Sequence, residues 1–188
     1  IDVGQGDCVL IHAGNNALLI DAGNSKDGPN IVAYIQNQGI SKLDYLVLTH
    51  PHADHIGGAA DVVNAFDIDK ILMPKATHTS KTFEDLLLTI QSKGHRITSP
   101  SPGQDFSLGK ATFKILASND GSDLNNKSIV TRLVYGGTSF LFTGDAETAT
   151  EDIILQRGYD IKSDVMKVGH HGSDTSTGDS FLKKVSPK

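Results

Sequence analysis

Four apolar runs of this chain stop at side chains that must be satisfied by water, a partner or an ion. "ALLID" ends at Asp21, "YLVLTH" at His50, "FLFTGD" at Asp145 and "MKVGHH" at His170 and His171. Short runs of Val, Leu, Ile and Phe bounded by turn residues read as buried strands. Several polar groups therefore stand at strand ends. "DCVLIHA", "KILMP", "ATFKILA" and "SIVTRLVYG" read as further strands, the first running back almost to the start of the chain. "GNN" and Gly136-Gly137 join neighbouring runs as tight hairpins, because glycine accepts the positive φ of such turns. Between the runs lie amphipathic stripes at i, i+3, i+4 spacing: Ile31, Val32 and Ile35, then Ala59, Val62, Val63 and Phe66, then Phe83, Leu86, Leu87 and Ile90, and finally Ile153 and Ile154. Gly39, Gly94 and Gly158 stand where a left-handed residue would close a helix. Two hairpin-rich groups of strands with helices between them predict a mixed α/β (α+β) architecture of two sheets face to face with helices outside. At 188 residues and 38% hydrophobic composition the chain has material for one well-filled core, so residues 1–188 read as a single domain.

The densest chemistry lies in "LTHPHADHIGG", residues 48–58. Pro51 biases His50 toward extended geometry, and residues two apart on an extended chain point the same way, which aims His50 and His52 at one point. The chain then turns, with Asp54 and His55 at the start of the turn facing a second point, and Ile56-Gly57-Gly58 opening a helix that ends near Phe66. A solvated loop seldom concentrates three histidines and an aspartate in this way, and imidazole with carboxylate suits zinc, iron or manganese. The single cysteine, Cys8, excludes a disulfide framework and a thiolate zinc knuckle, and reads as a small buried strand residue. Asp145 and the pair His170-His171 are further ligand candidates at other strand ends, and Asp21 is better placed behind the ligands, where a carboxylate orients them or supports the loop, than as a weak ligand itself. His12, His78 and His95 read as ordinary polar residues.

His50-x-His52-x-Asp54-His55, preceded by Asp21 and followed by Asp145 and His170-His171, resembles the metallo-β-lactamase superfamily. "DVGQGD", "TGDAE" and "KVGHHGS" make the chain similar to its ComEC-like branch, the metallo-hydrolase domains of competence proteins that import DNA. The resemblance implies a four-layer αββα sandwich, truncated here before its last strands, with a dinuclear zinc or manganese site at one edge of the sheets. It implies that His50 and His52 bind one divalent ion, that Asp54 and His55 bind the other, that Asp145 bridges, and that one of the paired histidines, His171 in preference to His170, completes the second site. The superfamily usually has one more histidine ligand before the bridging acid. Here "DLNNKSIVTRL" stands in that region, with Asn125 or Asn126 as a weaker ligand, direct or through water, so the first site is expected to bind more loosely and to favour manganese.

Two divalent ions with a hydroxide between them hydrolyse esters and diesters, and the sequence has no nucleophile elbow or phosphate-binding P-loop to compete with that reading. The resemblance points to a metal-dependent phosphodiesterase or nuclease acting on DNA. In it Asp54 serves the catalytic centre, while His170 contacts the substrate oxyanion or protonates the leaving group. A net charge of −5 excludes nucleic-acid binding by a general basic surface, although two dications would offset about four of those charges. Lys162, Lys167, Lys183 and Lys184 could follow a phosphate backbone. The alternatives are a small-diester esterase similar to the phosphorylcholine esterases, a lactone, thioester or β-lactam hydrolase, or a metal-containing nucleic-acid-binding domain without turnover. The absence of an initiator methionine and of any run of 18 apolar residues reads as an excised soluble part of a larger bacterial protein. That protein is expected to be extracytoplasmic or attached to a membrane through a part outside this sequence, with a cytoplasmic setting as the alternative.

Overall fold

The computed structural model describes residues 1–188. It divides into two compact units, Ile1–Ser99 and Pro100–Lys188, each built on its own five-stranded sheet.

In the first unit, β1 (Val9–Ala13) and β2 (Asn16–Ile20) form the expected hairpin, with Gly14 at φ 65° in the turn. From there the sheet is parallel: β3 (Lys42–Val47), β4 (Asp67–Leu72) and the short β5 (Ile97–Thr98) add in sequence order. This corrects the hairpin-rich reading. Each parallel step needs a crossover long enough to return the chain, and helices supply it: α1 (Gly28–Asn37), α2 (Ala53–Ile56) with α3 (Ala59–Ala65), and α4 (Lys81–Ser92). Leu19, Leu43, Leu46 and Ile71 of the sheet share one buried cluster with Ile31, Ile35, Val62, Phe83 and Leu86 of the helices. Residues before Val9 are loop rather than strand, with Cys8 buried at their end.

The glycine pair after His55 does not open the helix as expected. Asp54 and His55 already lie on α2, and Gly57-Gly58 is the joint between α2 and α3. Both glycines have ordinary negative φ, −57° and −86°. They are glycine for lack of room: a Cβ on Gly57 would collide with the backbone of Asn24 and Ser25, and one on Gly58 would lie 2.6 Å from the Ala22 carbonyl oxygen.

In the second unit β6 (Asp105–Leu108), β7 (Ala111–Ala117), β8 (Val130–Tyr135) and β9 (Thr138–Phe142) form an antiparallel meander. Then α5 (Thr148–Arg157) crosses over to β10 (Val165–Lys167), parallel to β9, and α6 (Asp179–Val185) closes the unit. Leu116, Val130, Leu141, Ile154, Ile161, Phe181 and Val185 make its core. Gly158 ends α5 in the left-handed conformation, and Arg157 ties that helix to β7 through the Leu116 carbonyl and the Asp120 carboxylate. No helix is long and apolar enough to cross a membrane.

Candidate metal centre

In the first unit the polar groups leave the C-terminal ends of the neighbouring parallel strands β2 and β3, where parallel sheets characteristically collect functional residues. Asp21, fully buried at φ 58°, donates its N–H to the Val47 carbonyl at 2.8 Å. Its carboxylate accepts the Thr49 N–H and hydroxyl, both at 2.7 Å, and the His55 Nδ1 proton at 2.8 Å. Burial pushes the Asp21 carboxyl above the usual range, and the His55 and Thr49 contacts oppose that rise.

These bonds fix the tautomers. The Thr49 hydroxyl spends its proton on Asp21, so toward His50 Nδ1, 3.1 Å away, it can only accept. His50 and His55 therefore both carry their proton on Nδ1 and present a bare Nε2, the form that binds a metal. Asp21 contacts His55 directly and His50 only through the Thr49 hydroxyl. His50 Nε2 lies 2.9 Å from His52 Nδ1, the His50 and His55 rings are 4.1 Å apart between centroids, and Asp54 Oδ2 is 3.8 Å from His55 Nε2. Imidazole nitrogens and carboxylate oxygens gathered in this way suit a divalent cation in their chemistry. Asp7, from the opening "DVGQGD", was missed as a candidate. It is almost buried, its Oδ2 is 3.9 Å from His55 Nδ1, and its N–H donates to the Asp54 carbonyl at 3.2 Å. An acid flanked by glycine at a turn looks ordinary in sequence, and only the fold brings it beside His55.

A backbone clasp holds this arrangement. Ala22 N–H donates to the His55 carbonyl at 2.7 Å, Gly57 N–H to Gly23 at 2.8 Å, and Gly58 N–H to Ala22 at 3.0 Å. The loop after β2 and the loop after β3 are thereby laced together residue by residue.

The second unit repeats the logic at the ends of β9 and β10. Gly144, at φ 54°, turns the chain after β9 and sets the buried Asp145, whose N–H donates to the Ser128 hydroxyl at 3.2 Å. The histidine pair departs from expectation. An extended "KVGHH" would point His170 and His171 to opposite sides. Instead β10 stops at Lys167, and His170–Gly172 forms a 3-10 turn with both histidines at positive φ, 44° and 52°. The turn directs both Nε2 atoms toward the same Asp145 oxygen, at 3.9 Å for His170 and 3.4 Å for His171. Left-handed geometry in two consecutive non-glycine residues is strained, and such strain persists where the surroundings enforce it. Here backbone bonds hold the turn: His170 N–H donates to the Gly144 carbonyl at 3.1 Å, Gly172 N–H to Gly169 at 2.9 Å and Ser173 N–H to His170 at 2.8 Å.

The two histidines differ on their other side. His170 Nδ1 faces Glu147 Oε1 at 3.2 Å and the Thr175 hydroxyl at 3.3 Å, and its side chain is twice as exposed as that of His171, 31% against 15%. Glu147, in "TGDAE", was not singled out from sequence. Its Oε1 also accepts from Asn125 Nδ2 at 3.3 Å and from the Thr175 hydroxyl at 3.0 Å. The asparagines, left as alternatives by sequence, separate. Asn126 Oδ1 is consumed by the Glu147 N–H, the Thr150 N–H and the Thr150 hydroxyl at 2.9 to 3.3 Å, capping α5, and its Nδ2 donates to Asp123. That corrects its candidacy as a ligand. Asn125 Oδ1 is buried with no hydrogen-bond partner, while its Nδ2 is held by Glu147, so its oxygen is the acceptor left for a ligand.

The model of the metallo-beta-lactamase superfamily matches residues 1–188. The chain belongs to the metallo-β-lactamase superfamily. Over its whole length it is 31% identical to ComE operon protein 3 of Bacillus subtilis and 32% identical to Recombination protein 2 of Haemophilus influenzae. It spans about a quarter of the length of these curated relatives, 27% and 23% respectively. A solved B3 metallo-β-lactamase with an active-site glutamic acid superimposes with a TM-score of 0.65 at 16% identity, over 98% of this chain and 83% of that one. The mixed α/β fold of two helix-flanked sheets is therefore that of the metallo-β-lactamases, and the competence relatives accord with the ComEC-like resemblance. The chain is a superfamily hydrolase domain with His and Asp groups able to hold divalent metal.

Proposed function

We propose that this chain is a metal-dependent phosphodiesterase that cleaves single-stranded DNA. The observation that carries the reading is a ligand set with bare Nε2 atoms on His50 and His55 in a chain that aligns end to end with competence and recombination proteins. In this reading the divalent-ion ligands of the first unit are His50, His52, Asp54 and His55, and those of the second are Asp145 and His171. When bound, such ions acidify water and neutralise the anionic oxygens of a diester. The remaining work falls to the protein. Asp21 keeps the two imidazoles in the binding tautomer. His170, whose Nδ1 faces Glu147 and Thr175, offers Nε2 for the proton of the departing oxygen. The chain acts as part of a longer, membrane-attached protein.

The test is a substrate panel with added manganese or zinc: single-stranded DNA, duplex DNA, RNA, a phosphorylcholine ester and a lactone. Single-stranded DNA should be cut in a metal-dependent manner, with apparent affinity falling as salt rises because backbone contacts release counterions. Robust lactone or thioester hydrolysis with no diester cleavage under either metal would overturn the reading. DNA binding without turnover would reassign the domain as a binding module.

A further inference from the structure

His78, beside the first unit's histidine cluster, has no role in the ligand set. Its ring lies edge-on to that of His52, with centroids 6.0 Å apart, and edge-on to Phe83 at 6.4 Å. Its protonation pattern follows from its neighbours. Ser80 is the N-cap of α4, and its hydroxyl oxygen accepts the Phe83 N–H at 3.3 Å. That leaves the hydroxyl proton for His78 Nδ1 at 2.7 Å, and the Ser80 N–H, which can only donate, also points at Nδ1 from 3.4 Å. Nδ1 is thus an acceptor, and the neutral ring must carry its proton on Nε2. A protonated Nε2 is a hydrogen-bond donor and not a metal ligand, the opposite of the tautomer imposed on His50 and His55.

Next to this donor is a cavity of about 390 Å³, within the size range of small-molecule sites. Its wall is largely apolar, with Phe83 and the exposed Leu87 and Leu88, and its one charged group is Glu84. A second phosphate would meet Glu84 unfavourably there, whereas a base or other uncharged organic group would cover the leucines.

Building on the phosphodiesterase reading, we infer that His78 is a substrate-binding residue. Its Nε2–H donates to a non-bridging oxygen of the diester, and the organic substituent of that phosphate lies against Phe83, Leu87 and Leu88. Hydrolysis of thymidine 5′-(p-nitrophenyl phosphate) and of methyl p-nitrophenyl phosphate should be compared in the manganese-loaded wild type, His78→Ala, His78→Gln and Leu88→Asp. Metal content and the dissociation constant of inorganic phosphate are measured on the same samples. His78→Ala should lose about tenfold or more in kcat/KM on both esters and bind phosphate about tenfold more weakly, the scale of a hydrogen bond to a charged group. Its metal content should be unchanged, and His78→Gln, which keeps a donor, should recover part of the loss. Leu88→Asp should erode only the preference for the thymidyl ester. Loss of metal in His78→Ala would make it a ligand and overturn the inference. So would an active wild type matched by His78→Ala in both rate and phosphate affinity. A wild type that binds phosphate but cleaves neither ester would instead fault the phosphodiesterase reading, leaving the phosphate affinities to judge His78. A wild type that does neither overturns both.

Discussion

Asp21 Oδ2 lies 2.8 Å from His55 Nδ1, and both side chains are fully buried. Through Thr49 the same carboxylate also sets the proton on His50. One acid therefore contacts one imidazole directly and a second through Thr49, both on the segment that follows β3.

Asp21→Asn keeps the volume but replaces an acceptor with an amide whose donor face opposes His55 Nδ1–H. Affinity for manganese or zinc should fall about 10- to 100-fold, the usual scale for losing an orienting partner, as read by competition with a chromogenic chelator. Unchanged affinity would show that the tautomers are set some other way.

The paired histidines should part company on substitution. His171 lies nearer Asp145, while His170 faces Glu147 and Thr175. His171→Ala should lose bound metal by elemental analysis, whereas His170→Ala should keep metal and lose rate. The reverse pattern would exchange their roles.

Asn126→Ala should cost stability. Two N–H groups and a hydroxyl would lose their acceptor at the start of α5, worth about 1–3 kcal/mol, or a drop of roughly 2–4 °C in Tm for each kcal/mol. Asn125→Ala should lower Tm less, because it removes a single long Nδ2 hydrogen bond to Glu147 and an oxygen that no protein group uses. It should instead make the weaker metal leave earlier under mild chelation.

How much of this was legible beforehand depended on whether the signal was local. The hairpins at Gly14 and at Gly136-Gly137, the helix ends at Gly39, Gly94 and Gly158, and the ligand residues at four strand ends all write themselves into a few consecutive positions. The two-residue β5 carries too few residues to show a period, and the parallel order of β2 to β5 is decided by crossovers rather than by any strand's own pattern. Asp7 and Glu147 were visible only as members of turn-like motifs. Their value comes from neighbours 48 and 23 residues away, His55 and His170. The turn at His170-His171 misled because a strand was extrapolated past Gly169, whose Cβ would lie 2.7 Å from the Ala146 carbonyl oxygen.

Cys8 offers a prediction away from the metal. Burial pushes its thiol up to about 12. Between the unfolded thiol pKa, about 8.5, and that value, the unfolded chain releases a proton that the folded chain keeps. Folding stability must therefore fall as pH rises across this window. Denaturant midpoints at pH 7 and pH 10 should converge in Cys8→Ala relative to the wild type, and the native thiol should react slowly with a disulfide reagent at pH 8. A fast, stoichiometric reaction in the native state would contradict the burial.

The joint at Gly57 and Gly58 bears on how the domain chooses its ion. With no space for even a methyl group and with both backbone N–H groups already engaged by Gly23 and Ala22, the segment carrying Asp54 and His55 has nowhere to retreat. Cation selectivity in proteins rests on whether a cage can stretch to a larger radius or a higher coordination number. A cage laced to its neighbour at three successive points yields little, so it discriminates by refusing to adapt. Calcium, with its longer bonds and appetite for additional oxygens, is disfavoured by mechanical stiffness before ligand chemistry is consulted.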